Sequence, residues 1–117
     1  MEDFDFFLDQ LYPLPLVRKK LFGTTAYYLD AKIVFAFSTS DKWPEDIGIW
    51  IAAPLEHQPL LLEKLKTYRD IQRINTKKWI LLPADSDTFE EDARTVADLI
   101  KKGSEWIGTV PKPKRKK

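Results

Sequence analysis

The sequence predicts an α+β fold, a two-layer domain with helices packed on an antiparallel sheet, and three observations lead there. Apolar residues recur at spacings of three and four near both ends of the chain and once in the middle, while the segments between are rich in aromatic and β-branched residues. Those extended segments are mostly joined by short polar connections, which pair neighbouring strands antiparallel. Finally, 117 residues, 44% of them hydrophobic, suffice for one core and leave little room for a second. The predicted order is helix, three strands, helix, two strands, helix, as one domain over residues 1–109 with a flexible basic tail at 110–117.

The first helix is expected over residues 3–12, where Phe4, Phe7, Leu8 and Leu11 form an apolar stripe that Pro13 and Pro15 close. In FGTTAYYLDAKIVFAF the pattern becomes extended. Residues 25–29 and 33–37 read as a β-hairpin around Asp30-Ala31. Residues 47–52 alternate Ile47, Ile49 and Ile51 with Gly48, Trp50 and Ala52, a third strand. Leu61, Leu62, Leu65 and Tyr68 return to helical spacing, with Pro59 suited to a first turn. Residues 71–74 and 79–82 read as a second hairpin joined by Asn75-Thr76-Lys77-Lys78. In the last helix Phe89, Ala93, Val96, Ala97 and Ile100 share a face, Thr88 and Glu91 match a capping box, and the pattern extends past Gly103 toward Trp106.

Charge is unevenly distributed. The formal net charge is +1, yet without residues 112–117 the balance is 14 basic groups against 18 acidic, a net −4. Val110-Pro111-Lys112-Pro113 should keep the basic tail out of any helix, because proline lacks the amide donor and disfavours helix in the residue before it.

Several chemistries have no residues to carry them. Without cysteine there is no disulfide, thiolate zinc site or cysteine nucleophile, and a cytoplasmic location is expected. The opening MEDFDFF is acidic where a signal peptide would be basic, and no apolar run approaches the ~20 residues of a membrane span. His57 is the only histidine, which excludes a metal site built on two of them within the chain. It is expected to be an ordinary solvated side chain. Asp85, Asp87, Glu90, Glu91 and Asp92 lack the glycine and terminal glutamate of a calcium-binding loop, and the helix dipole is reason enough for acidic groups there. The scattered glycines form no phosphate-cradling loop. No cofactor and no catalytic residue is expected.

A hairpin ending Lys-Ile-Val-Phe-Ala-Phe, a strand followed by a leucine-bearing helix, then Asn75-Thr76-Lys77-Lys78-Trp79-Ile80-Leu81-Leu82 and a last helix with Leu99-Ile100 and Ser104 resemble the MmcQ/YjbR family across residues 25–107. Arg18-Lys19-Lys20-Leu21-Phe22-Gly23 before a Tyr-Leu-Asp-x-Lys hairpin is similar to the N-terminal domain of TfoX-type competence regulators. Two departures stand out: Thr24 and Ala31 occupy positions where that pattern usually has glycine. The resemblance implies a secretion-chaperone-like or frataxin-like two-layer fold, and a group often described as DNA-binding with no established enzyme activity.

Read for themselves, the residues offer phosphate-binding cations at Arg18-Lys19-Lys20, in and around the second hairpin, and in the tail. The expected DNA-binding set is Arg69, Arg73, Lys77, Lys78 and Trp79 with Lys112, Lys114, Arg115, Lys116 and Lys117, since nonspecific affinity needs mainly clustered cations and an aromatic can stack on an unpaired base. The bland alternative is that lysines in a turn keep a sheet edge soluble and that Trp79 is core. A protein-binding or self-associating module is the other expectation. The first hairpin is apolar on both faces, so Tyr28, Val34 and Trp50 would share a second face that meets another protein or a second copy of the chain, unless loops fold over it.

Overall fold

A computed structural model describes residues 4–21, 23–72 and 77–109. Three helices, α1 (Asp5–Leu11), α2 (Gln58–Glu63) and α3 (Phe89–Lys101), accompany five strands: β1 (Val17–Leu21), β2 (Thr24–Leu29), β3 (Lys32–Ser38), β4 (Gly48–Ala52) and β5 (Trp79–Pro83). The strands form one antiparallel sheet in the order β1-β2-β3-β4-β5. Among the described residues no helix is long and apolar enough to cross a membrane.

One sheet face carries the main core. Tyr27, Phe35, Phe37, Ile49, Ile51, Ile80 and Leu82 project there and meet Phe4, just before α1, Phe7 and Leu11 of α1 and the apolar stripe of α3. At seven residues α1 is too short to persist alone, where roughly 12 are needed, so burial holds it. Phe7 meets Phe35 edge-on at 4.8 Å and Phe4 lies 4.9 Å from Phe37. Burying each such side chain is worth ~2 kcal/mol, enough to offset the ordering of a short helix.

The opposite face is a second, smaller core of Ala26, Ile33, Ala36, Trp50, Ala52 and Leu81 with Ile71 over it. A crossing segment closes this face. Arg69 and Leu81 exchange both backbone hydrogen bonds at 2.9 Å, and the Gln72 amide donates to buried Asp46 Oδ1 at 2.8 Å. The Trp50 indole donates to the Asp46 carbonyl at 3.0 Å, so one residue ties β4 to the crossing segment.

These features correct several expectations. The basic triplet belongs to a strand, β1, which the sequence reading missed although Pro15 and Gly23 bound it and Val17 and Leu21 alternate with Arg18 and Lys20. Ile71 and Gln72 lie in no strand; β5 pairs with β4 and, through Leu81, with Arg69, which precedes the expected strand at 71–74, and residues 73–76 of the expected hairpin lie outside the described residues. Val34 belongs to the helix-covered core. Tyr27 pairs with Phe35 and Tyr28 with Ile33, so Val34 is the extra residue of a β-bulge and the alternation of β3 slips by one there. Trp50 does sit on the second face, but at 1% exposure it offers no free surface. Tyr28, half-buried, is topped by the Lys19 ammonium 5.2 Å from its ring centre.

The helices also end differently. α2 stops at Glu63 and leaves Tyr68 exposed, because Asp92 captures the Lys66 and Thr67 amides that helical bonds would need. Thr88 makes no side-chain cap; its hydroxyl donates to Asp92 Oδ2, while Glu91 pairs with Lys66. α3 stops at Lys101 because Gly103 takes φ +75°, and the Ser104 amide reaches back to the Leu99 carbonyl.

Candidate nucleic-acid interface

The end of the sheet where β5 begins brings together Lys32, Lys77 and Lys78. Lys77 and Lys78 are exposed and lead into β5. Their backbones are held: the Gln58 amide group donates to the Lys77 carbonyl at 2.6 Å, and the Ala53 amide to the Lys78 carbonyl at 2.7 Å. The turn Asp30-Ala31 returns the chain at the same end, which puts exposed Lys32 there. Both turn residues have positive φ, 54° and 71°, as a two-residue hairpin turn requires.

A third segment arrives from the far end of the sequence. Thr109 exchanges two hydrogen bonds of 2.9 Å with Ile33, and the Gly108 amide donates to the Ala52 carbonyl at 2.7 Å. The chain thus wedges between the ends of β3 and β4. Thr109, Lys32, Lys78, His57 and Glu105 line a common cleft of about 400 Å³. His57 Nε2 lies 4.0 Å from both Glu56 Oε2 and Glu105 Oε2, so the cleft carries both signs of charge.

The remaining site expectations divide. Arg69 lies along β5, but its guanidinium donates to Asp85 Oδ1 at 2.7 Å, which offsets its charge locally. Trp79 is half-buried and meets Trp50 edge-on at 6.1 Å, on the face away from the helices. Arg73, Lys112, Lys114, Arg115, Lys116 and Lys117 lie outside the described residues. Sequence reasoning missed Lys32. Its position beside the turn was legible, but the arrival of Thr109 next to it was not.

The acidic cluster is used within the fold. Asp92, 1% exposed, accepts from the Lys66 amide at 2.8 Å, the Thr67 amide at 3.0 Å and the Thr88 hydroxyl at 2.8 Å. Glu91 pairs with Lys66 at 2.8 Å, and that hydrogen bond holds the lysine above its ordinary range. Among the described residues no group of three or more His, Asp or Glu side chains is arranged to hold a metal ion.

Comparison with protein-family models, curated proteins and solved structures finds no match to this chain.

Proposed function

We propose that this chain is a small nucleic-acid-binding domain of the MmcQ/YjbR-like kind, which grips the phosphate backbone without reading base sequence and carries out no chemistry. One observation supports this most. Thr109, the last described residue, is bonded to Ile33 beside Lys32 and shares a cleft with Lys78, so in sequence the five cations of residues 112–117 follow shortly after a residue held at the end of the sheet that carries Lys32 and Lys78. Lys112 is three residues beyond Thr109 in the sequence.

Joining the two groups of cations matters because phosphate affinity grows with the number of counterions released together. A fold with net charge −4 outside the tail repels a polyanion unless its cations are focused. Lys32, Lys77 and Lys78 do this at one end. Trp79, half-buried, borders the same end and supplies an aromatic ring of the kind on which unpaired bases stack.

The test is fluorescence anisotropy with labelled single- and double-stranded DNA across a salt series, comparing the full chain with one ending at Val110 and with a Lys32→Gln/Lys77→Gln/Lys78→Gln variant. Each lost phosphate contact should reduce the slope of log affinity against log salt by about 0.7–0.9. Both changes are expected to reduce it. Binding that vanishes on truncation and ignores the triple variant assigns affinity to the tail alone; no binding by the full chain at low salt refutes the reading.

A further inference from the structure

The sheet has two edges, and they are treated differently. The outer side of β5 is bonded to Arg69 through Leu81, whereas β1 pairs with β2 and, among the described residues, with nothing on its other side. Alternate residues of an antiparallel edge strand turn both N–H and C=O outward, so β1 presents an unfilled ladder. Its register is regular along all five residues, Val17 opposite Tyr28 through Leu21 opposite Thr24, with no bulge to bend the edge away.

Side chains then select what can fill it. Arg18 and Lys20 pair with Tyr27 and Thr25 and so stand on the helix-side face, while Val17, Lys19 and Leu21 stand on the other. Among the described residues none of Arg18, Lys19 and Lys20 has a carboxylate partner, and all three are exposed. Val17 is 53% exposed and Leu21 half-buried.

We infer that β1 is a docking edge for an extended acidic segment of another protein, added as a sixth strand with the pattern apolar–acid–acid–acid–apolar. Acidic groups on both faces of the incoming strand would meet Arg18 and Lys20 on one side and Lys19 on the other. The flanking apolar residues would cover Val17 and Leu21. A second copy of this chain is the wrong occupant, because two β1 strands laid edge to edge set cations against cations, and like charges across a ladder repel. β1 lies four strand spacings, roughly 19 Å, from β5 and its Lys77-Lys78 approach, and two spacings, roughly 10 Å, from β3, which carries Lys32.

The experiment uses a labelled peptide with the core Val-Glu-Glu-Glu-Val, the same peptide N-methylated at alternate residues, and a labelled oligodeoxynucleotide. Saturable peptide binding is expected, weakened at least about tenfold by Arg18→Glu/Lys20→Glu and by N-methylation, the latter because strand addition needs the peptide's own amide donors. Circular dichroism establishes that the variant is folded, and the N-methylated control needs no variant at all. Equal binding of the two peptides would leave only nonspecific charge attraction and overturn the proposal, as would no peptide binding at about 1 mM. If Arg18→Glu/Lys20→Glu abolishes oligonucleotide binding and leaves the peptide unaffected, β1 belongs to the nucleic-acid surface and the proposal also falls. Failure of DNA binding with the peptide result intact would refute the proposed function alone.

Discussion

Asp92 is the residue whose removal should cost the fold most for its size. Its carboxylate accepts from two backbone amides and one hydroxyl, joining α3 to the segment that leaves α2. A hydrogen bond to a charged group contributes ~1.5–3 kcal/mol, so three give a ceiling of ~5–9 kcal/mol. The ceiling is not reached, because Lys66 is exposed and Thr67 half-buried, and their freed amides can be rehydrated. Asp92→Ala is therefore expected to cost ~3 kcal/mol, and Asp92→Asn, which keeps one acceptor oxygen, about half as much. At ~4 °C per kcal/mol for a domain of this size, the alanine variant should melt ~12 °C lower. Urea unfolding monitored by tryptophan fluorescence measures both. An alanine variant within ~0.5 kcal/mol of the parent would mean that the carboxylate does not clasp these elements. That result would return the acidic cluster to consideration as a ligand site.

Other outcomes follow from single positions. Ala31 sits at φ 71°, where a Cβ is strained, so Ala31→Gly should stabilise the fold by ~0.5–1 kcal/mol in the same urea assay; a loss of stability would contradict the turn geometry. Gly48 has φ +150°, and a Cβ there would lie 2.1 Å from the Leu82 carbonyl oxygen, so Gly48→Ala should force β4 and β5 apart at a cost on the order of 3 kcal/mol. Unchanged amide exchange along β5 in that variant would count against the pairing. The Lys66 ammonium is held above its ordinary 10.5, first by its hydrogen bond to Glu91 and then by that carboxylate's charge. A raised folded-state value means the stabilisation is complete below 10.5 and is lost as pH climbs through the folded-state value. The stability difference between the parent and Lys66→Met should accordingly shrink across that alkaline range and with added salt. A difference that widened with pH would refute the pairing.

Where order was encoded by near neighbours, the sequence by itself determined the outcome. The face of α3 defined by Phe89, Ala93, Val96, Ala97 and Ile100 is buried throughout, because a helix's amphipathic period is written in consecutive residues. The same holds for the Asp30-Ala31 hairpin and the β4 alternation, and so for the α+β class with an antiparallel sheet. The tertiary structure decided whatever depends on a distant partner. Val17–Leu21 became a strand because β2 supplies a ladder, and its three cations concealed the alternation beneath. Val34 changed face through a bulge that only the pairing of β2 with β3 creates. α2 ended early because Asp92 lies 26 residues from Lys66 and competes for its amide. The candidate interface was least legible of all, since Lys32 and Lys78 meet only where Thr109 inserts beside Ile33. Periodicity reports which side of an element is apolar, whereas the meeting of charges from remote elements is set by how those apolar sides pack.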